Sequence, residues 1–247
     1  MSKYEPSDFL FCINNKECYR DGDRMVMLYP EGTKKSLVML EATNQSLAEE
    51  LGVAVPRITD VVMINSRWAL VCEYVGNKLL SDYTRDYGWE ESVLNKYVEL
   101  ELLVHGKKST QLPKLRDIMQ RQISDVRLDG TARYKLHTAL DDLPKHNKIC
   151  HGKMLPTCII IADGGELYLT DWLYASQGNS SFDASYTYFT LLLDYGTEIA
   201  ERYITAFCRR SDIARQYVER WMAIVAATML AERGEEGQKI LMKYIKQ

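Results

Sequence analysis

The chain has no C-x-x-C pair, no histidine at zinc spacing from a cysteine, and no apolar run near the roughly 20 residues that cross a bilayer. Its six cysteines (Cys12, Cys18, Cys72, Cys150, Cys158 and Cys208) are scattered. That excludes a zinc ribbon and a disulfide framework and leaves reduced thiols. Proline is scarce, at 6, and glycine modest, at 14, so collagen-like and low-complexity classes fall away. An excess of positive charge is missing too: 31 basic residues face 34 acidic ones, a net charge of -3. Without a basic field the counterion release that drives nucleic-acid binding has no source. The polar stretch from Met1 to Asp8 lacks the apolar core of a signal sequence. These absences point to a cytoplasmic protein with neither nucleic acid nor membrane as partner.

What is present is an ordinary globular composition, 46% apolar and 26% charged over 247 residues. Residues 9–13, 17–20 and 25–29 read as short strands, with Asn14-Asn15 and Asp21-Gly22-Asp23 as turns. Leu37, Leu40, Ala48 and Leu51 fall near helical spacing, and Gly52 follows as a C-terminal cap. Strands over 58–64 and 68–74 flank the hairpin turn Asn65-Ser66. Beyond Gly76 the pattern predicts helices over 90–105, 114–125 and 131–143, a hairpin of 159–161 with 167–169, and helices again from Phe182. The expected class is α+β: an N-terminal β-rich lobe over 1–75 with one helix, a linker near Val75 to Leu79, and a mainly helical lobe over 76–247.

The most informative segment is His151-Gly152-Lys153-Met154-Leu155-Pro156-Thr157-Cys158-Ile159, followed by Thr170-Asp171-Trp172 and the stretch 178–188. Tyr19-Arg20-Asp21-Gly22-Asp23, Glu41, Val55-Pro56, Glu73-Tyr74-Val75 and the helix 221–230 add further matches. In order and spacing this resembles the aminoglycoside phosphotransferases, especially small uncharacterised bacterial members, which carry H-G-D-x-x-P-x-N-I, then I-D-W, then G-[ND]-P-x-x-D-x-A-R-T-Y. The resemblance spans nearly the whole chain and implies the bilobal protein-kinase-like fold.

It also implies a set of parts, several of which are altered. A strand lysine that holds the α- and β-phosphates and pairs with a helix glutamate falls, by register with V-[IV]-K-L, at Met27. Glu41 is then left without its expected cation. The catalytic carboxylate that accepts the substrate's proton falls at Lys153, and an ammonium cannot accept a proton. The metal-binding asparagine falls at Cys158, a poor ligand for magnesium. The phosphate-covering loop, Ile13 to Glu17, has no glycine. Asp171 survives as a metal carboxylate, Glu73-Tyr74-Val75 as the hinge that meets a purine, and His151 and Asp183 as the loop's structural brace.

Each residue also has a plainer role: Met27 and Cys158 as core, Glu41 and Lys153 as solvated, the tyrosines 186, 188, 195, 203, 217 and 244 as core, Arg209-Arg210 as a solvated pair. Tyr186 stands where the family usually has arginine. A sharper expectation is that the Lys153 ammonium sits near Asp171 in place of the metal. Three functions follow. The first is a catalytically inactive pseudokinase acting as a binding, scaffold or regulatory module, with a protein or small molecule in the interlobe cleft and no cofactor. The second is an ATP-dependent phosphotransferase acting on a small hydroxylated molecule, using ATP and magnesium. The third is a nucleotide-binding sensor.

Overall fold

The structure is a computed structural model that describes Tyr4 and residues 7–246; Met1, Ser2, Lys3, Glu5, Pro6 and Gln247 lie outside the described residues. The expectation for the polar stretch 1–8 therefore falls largely outside them. Strands β1 (Asp8–Ile13), β2 (Lys16–Asp21) and β3 (Arg24–Leu28) lead into helix α1 (Lys35–Glu50), and β4 (Ile58–Ile64) and β5 (Arg67–Glu73) follow. They form one antiparallel sheet in the order β1-β2-β3-β5-β4. All three expected turns join paired strands. Asn14 and Asn15 have φ of 46° and 65°, and Asn65 and Ser66 have 48° and 64°. This left-handed pair closes a two-residue hairpin with the twist of its strands, and asparagine tolerates it better than most residues.

Strand alternation divides the sheet into two apolar faces. Val26, Leu28, Ala69, Val71 and Ile64 pack with Tyr4 on one. Cys18, Met27 and Leu70 stand in register on the other, all buried. Helix α1 covers that second face: Gln45 donates to the Pro56 carbonyl at 2.7 Å and to the Cys72 sulfur at 3.7 Å. Val38, Glu41, Ala42, Gln45 and Ala48 form its buried stripe at helical spacing. The helix ends as expected at Gly52, with φ of 77°. There the Gly52 N–H meets the Glu49 carbonyl at 2.8 Å and the Val53 N–H meets that of Ala48 at 3.0 Å.

The rest of the chain comprises β6 (Lys78–Leu79), α2 (Leu80–Tyr87), α3 (Glu91–His105), α4 (Leu115–Asp125), α5 (Gly130–Asp141), β7 (Lys148–Cys150), β8 (Ile159–Ile161), β9 (Leu167–Leu169), β10 (Ser176–Gly178), α6 (Ser181–Tyr195), α7 (Thr197–Ser211), α8 (Arg215–Met229) and α9 (Glu235–Ile245). No helix among the described residues is long and apolar enough to cross a membrane.

Two compact units result, and they do not part at residue 75. The first runs to Tyr97 and takes up Leu155–Tyr174; the second holds Val98–Met154 and Ala175 onward. The reason is hydrogen bonding. β6 pairs with β8 and β8 with β9, and the Leu169 N–H reaches the Ala54 carbonyl at 2.9 Å. Gly76 sits so close to this hairpin that a Cβ there would lie 2.3 Å from the Ile161 carbonyl oxygen. The 151–171 segment is therefore split, its first four residues in one unit and the remainder in the other.

In the second unit α6 packs against α7 and α8, with Phe189, Tyr203, Phe207 and Val225 fully buried. Tyr186, Tyr188 and Tyr203 are core residues, whereas Tyr195, Tyr217 and Tyr244 are half-buried. Arg210 is not merely solvated: it pairs with Glu99 at 2.7 Å.

Candidate functional site

The first unit contains a buried ion cluster. The Lys16 ammonium, on the first residue of β2, lies 2.5 Å from Glu41 Oε1 and 2.5 Å from Asp171 Oδ1. All three side chains are nearly closed to solvent, at 4%, 1% and 3% exposure. Burial by itself lowers the ammonium's pKa, but Glu41 and Asp171 outweigh it and push the Lys16 pKa up. Glu41 is driven up by burial, against the pull of Lys16 and with a further push from Asp171.

This corrects two expectations. Glu41 has its cation, and it neither lacks a partner nor swings into solvent. That cation comes from β2, not from the β3 position at which the resemblance places a lysine. Met27 fills the β3 position as fully buried core, and Lys16, two residues before its cross-strand neighbour Cys18, points from the same face of the sheet. One sequence signal marked the need: Glu41 lies on the buried stripe of α1, where an unpaired carboxylate is costly.

Asp171 is held from every side. Its backbone has φ of 67°, a left-handed conformation rare outside glycine and concentrated at functional sites. Its Oδ2 accepts from the Asn14 side-chain amide, at the tip of the β1–β2 turn, and from the Cys158 thiol at 3.6 Å. Asn44 of α1 donates to the Trp172 carbonyl at 2.9 Å and ties the helix to this turn. Cys158 is fully buried, and burial followed by the Asp171 charge raises its pKa well above that of an ordinary thiol. It stays a neutral S–H.

This donor set does not fit magnesium. That ion demands near-octahedral oxygen ligands at ~2.0–2.1 Å and shuns protonated thiols. Here one Asp171 oxygen faces an ammonium and the other faces an amide and an S–H. Among the described residues, no group of three or more His, Cys, Asp or Glu side chains could hold a metal ion.

The second unit contains the start of the 151–171 segment. The Asp183 carboxylate accepts the His151 N–H at 2.7 Å and the Gly152 N–H at 2.9 Å, and His105 Nε2 lies 3.1 Å away. Gly152 has φ of 92°, which lets both N–H groups face one carboxylate. Behind it Glu101 is buried between Tyr203, at 2.5 Å, and Thr187, at 3.5 Å. Burial pushes Glu101 up to about 7, against the opposing pull of His105 and Tyr203.

Lys153 does not fill the place expected of it. Its ammonium pairs with Glu232 Oε1 at 2.6 Å within the second unit, and the ammonium that answers Asp171 belongs to Lys16. The other Glu232 oxygen accepts from the Tyr186 hydroxyl at 2.9 Å. Two altered positions of the family pattern, Lys153 and Tyr186, thus converge on one carboxylate that sequence reasoning missed.

Of the hinge residues, Glu73 accepts the Arg57 N–H at 3.2 Å. Tyr74 donates its own N–H to the Asp23 carbonyl at 2.9 Å under the Arg20 guanidinium. Val75 follows, half-buried.

No family model and no curated protein matches the chain. Solved structures do. An aminoglycoside-3'-phosphotransferase of type VIII aligns with a TM-score of 0.67 at 16% identity, covering 92% of this chain and 95% of its own. The choline kinase LicA from Streptococcus pneumoniae aligns at 0.67 and 14% identity, covering 98% and 93%. A structure of LicA in complex with AMP gives 0.67 and 15%, covering 100% and 93%. The chain has the kinase-like fold that these phosphotransferases share.

Proposed function

We propose that the chain is a catalytically inactive kinase-fold protein that works as a binding, scaffold or regulatory module for a protein or small-molecule partner. The observation that carries this reading is the Asp171 carboxylate, whose two oxygens are taken up by Lys16, Asn14 and Cys158. Phosphoryl transfer rests on positioning and charge neutralisation by metal ions, and here a lysine and a neutral thiol stand around that carboxylate. Lys153, at the position of the catalytic base in the resemblance, is an ammonium bound to Glu232. The six free cysteines support a reducing, cytoplasmic setting, and the resemblance supports a bacterial one.

A nucleotide-binding role without transfer is the second reading, favoured by the Lys16–Glu41 pair. That pair reconstitutes the phosphate-side ammonium, and one of the similar structures holds AMP. A phosphotransferase acting on a small hydroxylated molecule draws on the surviving Asp171, on the segment Glu73-Tyr74-Val75 and on the fold shared with the neighbours. A thermal-shift titration with ATP, in magnesium and in EDTA, separates the readings. The proposal expects melting curves that ATP does not shift, in magnesium or in EDTA. A shift with ATP that is equal in both conditions supports the sensor, and a shift that appears only with magnesium contradicts the proposal.

A further inference from the structure

Glu41 Oε1 and Asp171 Oδ1 converge on a single point, and the Lys16 ammonium occupies it at 2.5 Å from each. An ammonium is a compact point charge on a flexible stem, so among side chains it comes nearest to a bare cation. The enclosure holds a further oxygen: the Tyr29 hydroxyl is buried beside Glu41, and its ring lies 5.3 Å from the Lys16 nitrogen. Asn14 adds an amide that offers nitrogen to Asp171 and can present its oxygen when turned over. One ammonium faces two buried carboxylates, and burial drives the Glu41 carboxyl towards its neutral form; a divalent ion would hold both carboxylates ionised.

We propose that Lys16 is a tethered stand-in for a divalent cation: the native site is closed to metal ions, and removing the ammonium opens a calcium- and manganese-binding site between Glu41, Asp171 and Asn14. This goes beyond the proposed function and does not depend on it, because it concerns what fills the cluster and not what the protein recognises. The two carboxylates come from α1 and from the turn after β9, both fixed in one compact unit, so the oxygens stay converged once the lysine is gone.

The test is titration of the full chain with Mn²⁺, following free Mn²⁺ by its paramagnetic resonance signal. Wild type is expected to take up none at millimolar ion. Lys16→Met is expected to take up one equivalent and to gain a rise in melting temperature in CaCl2 that wild type lacks. Lys16→Met with Asp171→Asn is expected to lose both effects. Uptake of one equivalent by wild type overturns the proposal, as does a folded Lys16→Met that binds nothing. Should Lys16→Met be unfolded in EDTA, CaCl2 must restore its fold; a chain that stays unfolded in CaCl2 also counts against the proposal.

Discussion

Lys16→Met, unfolded by urea in EDTA, is expected to be less stable than wild type by about 3 to 5 kcal/mol, the loss typical when one partner of a buried ion pair is removed. Methionine matches the lysine stem in length and apolar character, so the loss reports charge and not packing. Two carboxylates at 1% and 3% exposure would be left facing each other with the Asn14 amide, the Cys158 thiol and the Tyr29 hydroxyl nearby. Protonation of Glu41, which burial already drives up, is the route of escape. The deficit should therefore grow as pH rises towards neutrality and shrink as pH falls towards the ordinary carboxylate range. Glu41→Gln is expected to be milder, because it leaves Lys16 paired with Asp171 and removes the charge that burial already disfavours. A Lys16→Met loss below about 1 kcal/mol, the scale of a surface pair, would show that the ammonium does not balance the cluster.

The second large effect is expected at Asp183. Asp183→Ala removes the acceptor of two buried backbone N–H groups, at His151 and Gly152, and the partner of His105. Each orphaned buried donor costs about 1–3 kcal/mol, so the variant should lose about 3 to 5 kcal/mol in all. Asp183→Asn keeps the shape and one carbonyl oxygen, enough for one of the two N–H groups, and should lose roughly half as much. Hydrogen exchange at the Gly152 amide distinguishes loss of this brace from a general weakening of α6. The amide should lose its protection in Asp183→Ala well before the amides of α8 do. An alanine variant of wild-type stability with Gly152 still protected would mean that the loop is held by something else.

Much of the fold could be read along the chain because its signals are local. The alternation of β1 to β5, the asparagine turns and the glycine after α1 each announce themselves within a few residues. The elements that escaped are short or distant. β6 has two residues, β7 and β10 have three each, and their pairings join segments far apart in sequence. The compact units part elsewhere than the linker for a similar reason, since β6 pairs with β8 and ties the 155–174 segment to the first unit.

At the site, Glu41, Asp171, Asp183 and His151 lie within recognisable text, but a motif register has no means of finding a lysine on a different strand. Lys16 stands 25 residues from Glu41 and 155 from Asp171, and only the physical demand of a buried glutamate hinted at it. Lys153 and Glu232 meet across 79 residues with no local cue at all. The ammonium beside Glu41 thus comes from β2, and positions 153 and 158 hold a lysine paired with Glu232 and a buried thiol.

The measurement that bears most directly on the central claim is transfer of labelled γ-phosphate from ATP, in magnesium and in manganese, to small hydroxylated acceptors and to water. Wild type is expected to give no product above the background of Asp171→Asn. Magnesium-dependent turnover by wild type that disappears in Asp171→Asn would contradict the claim and make this chain a working phosphotransferase with relocated parts.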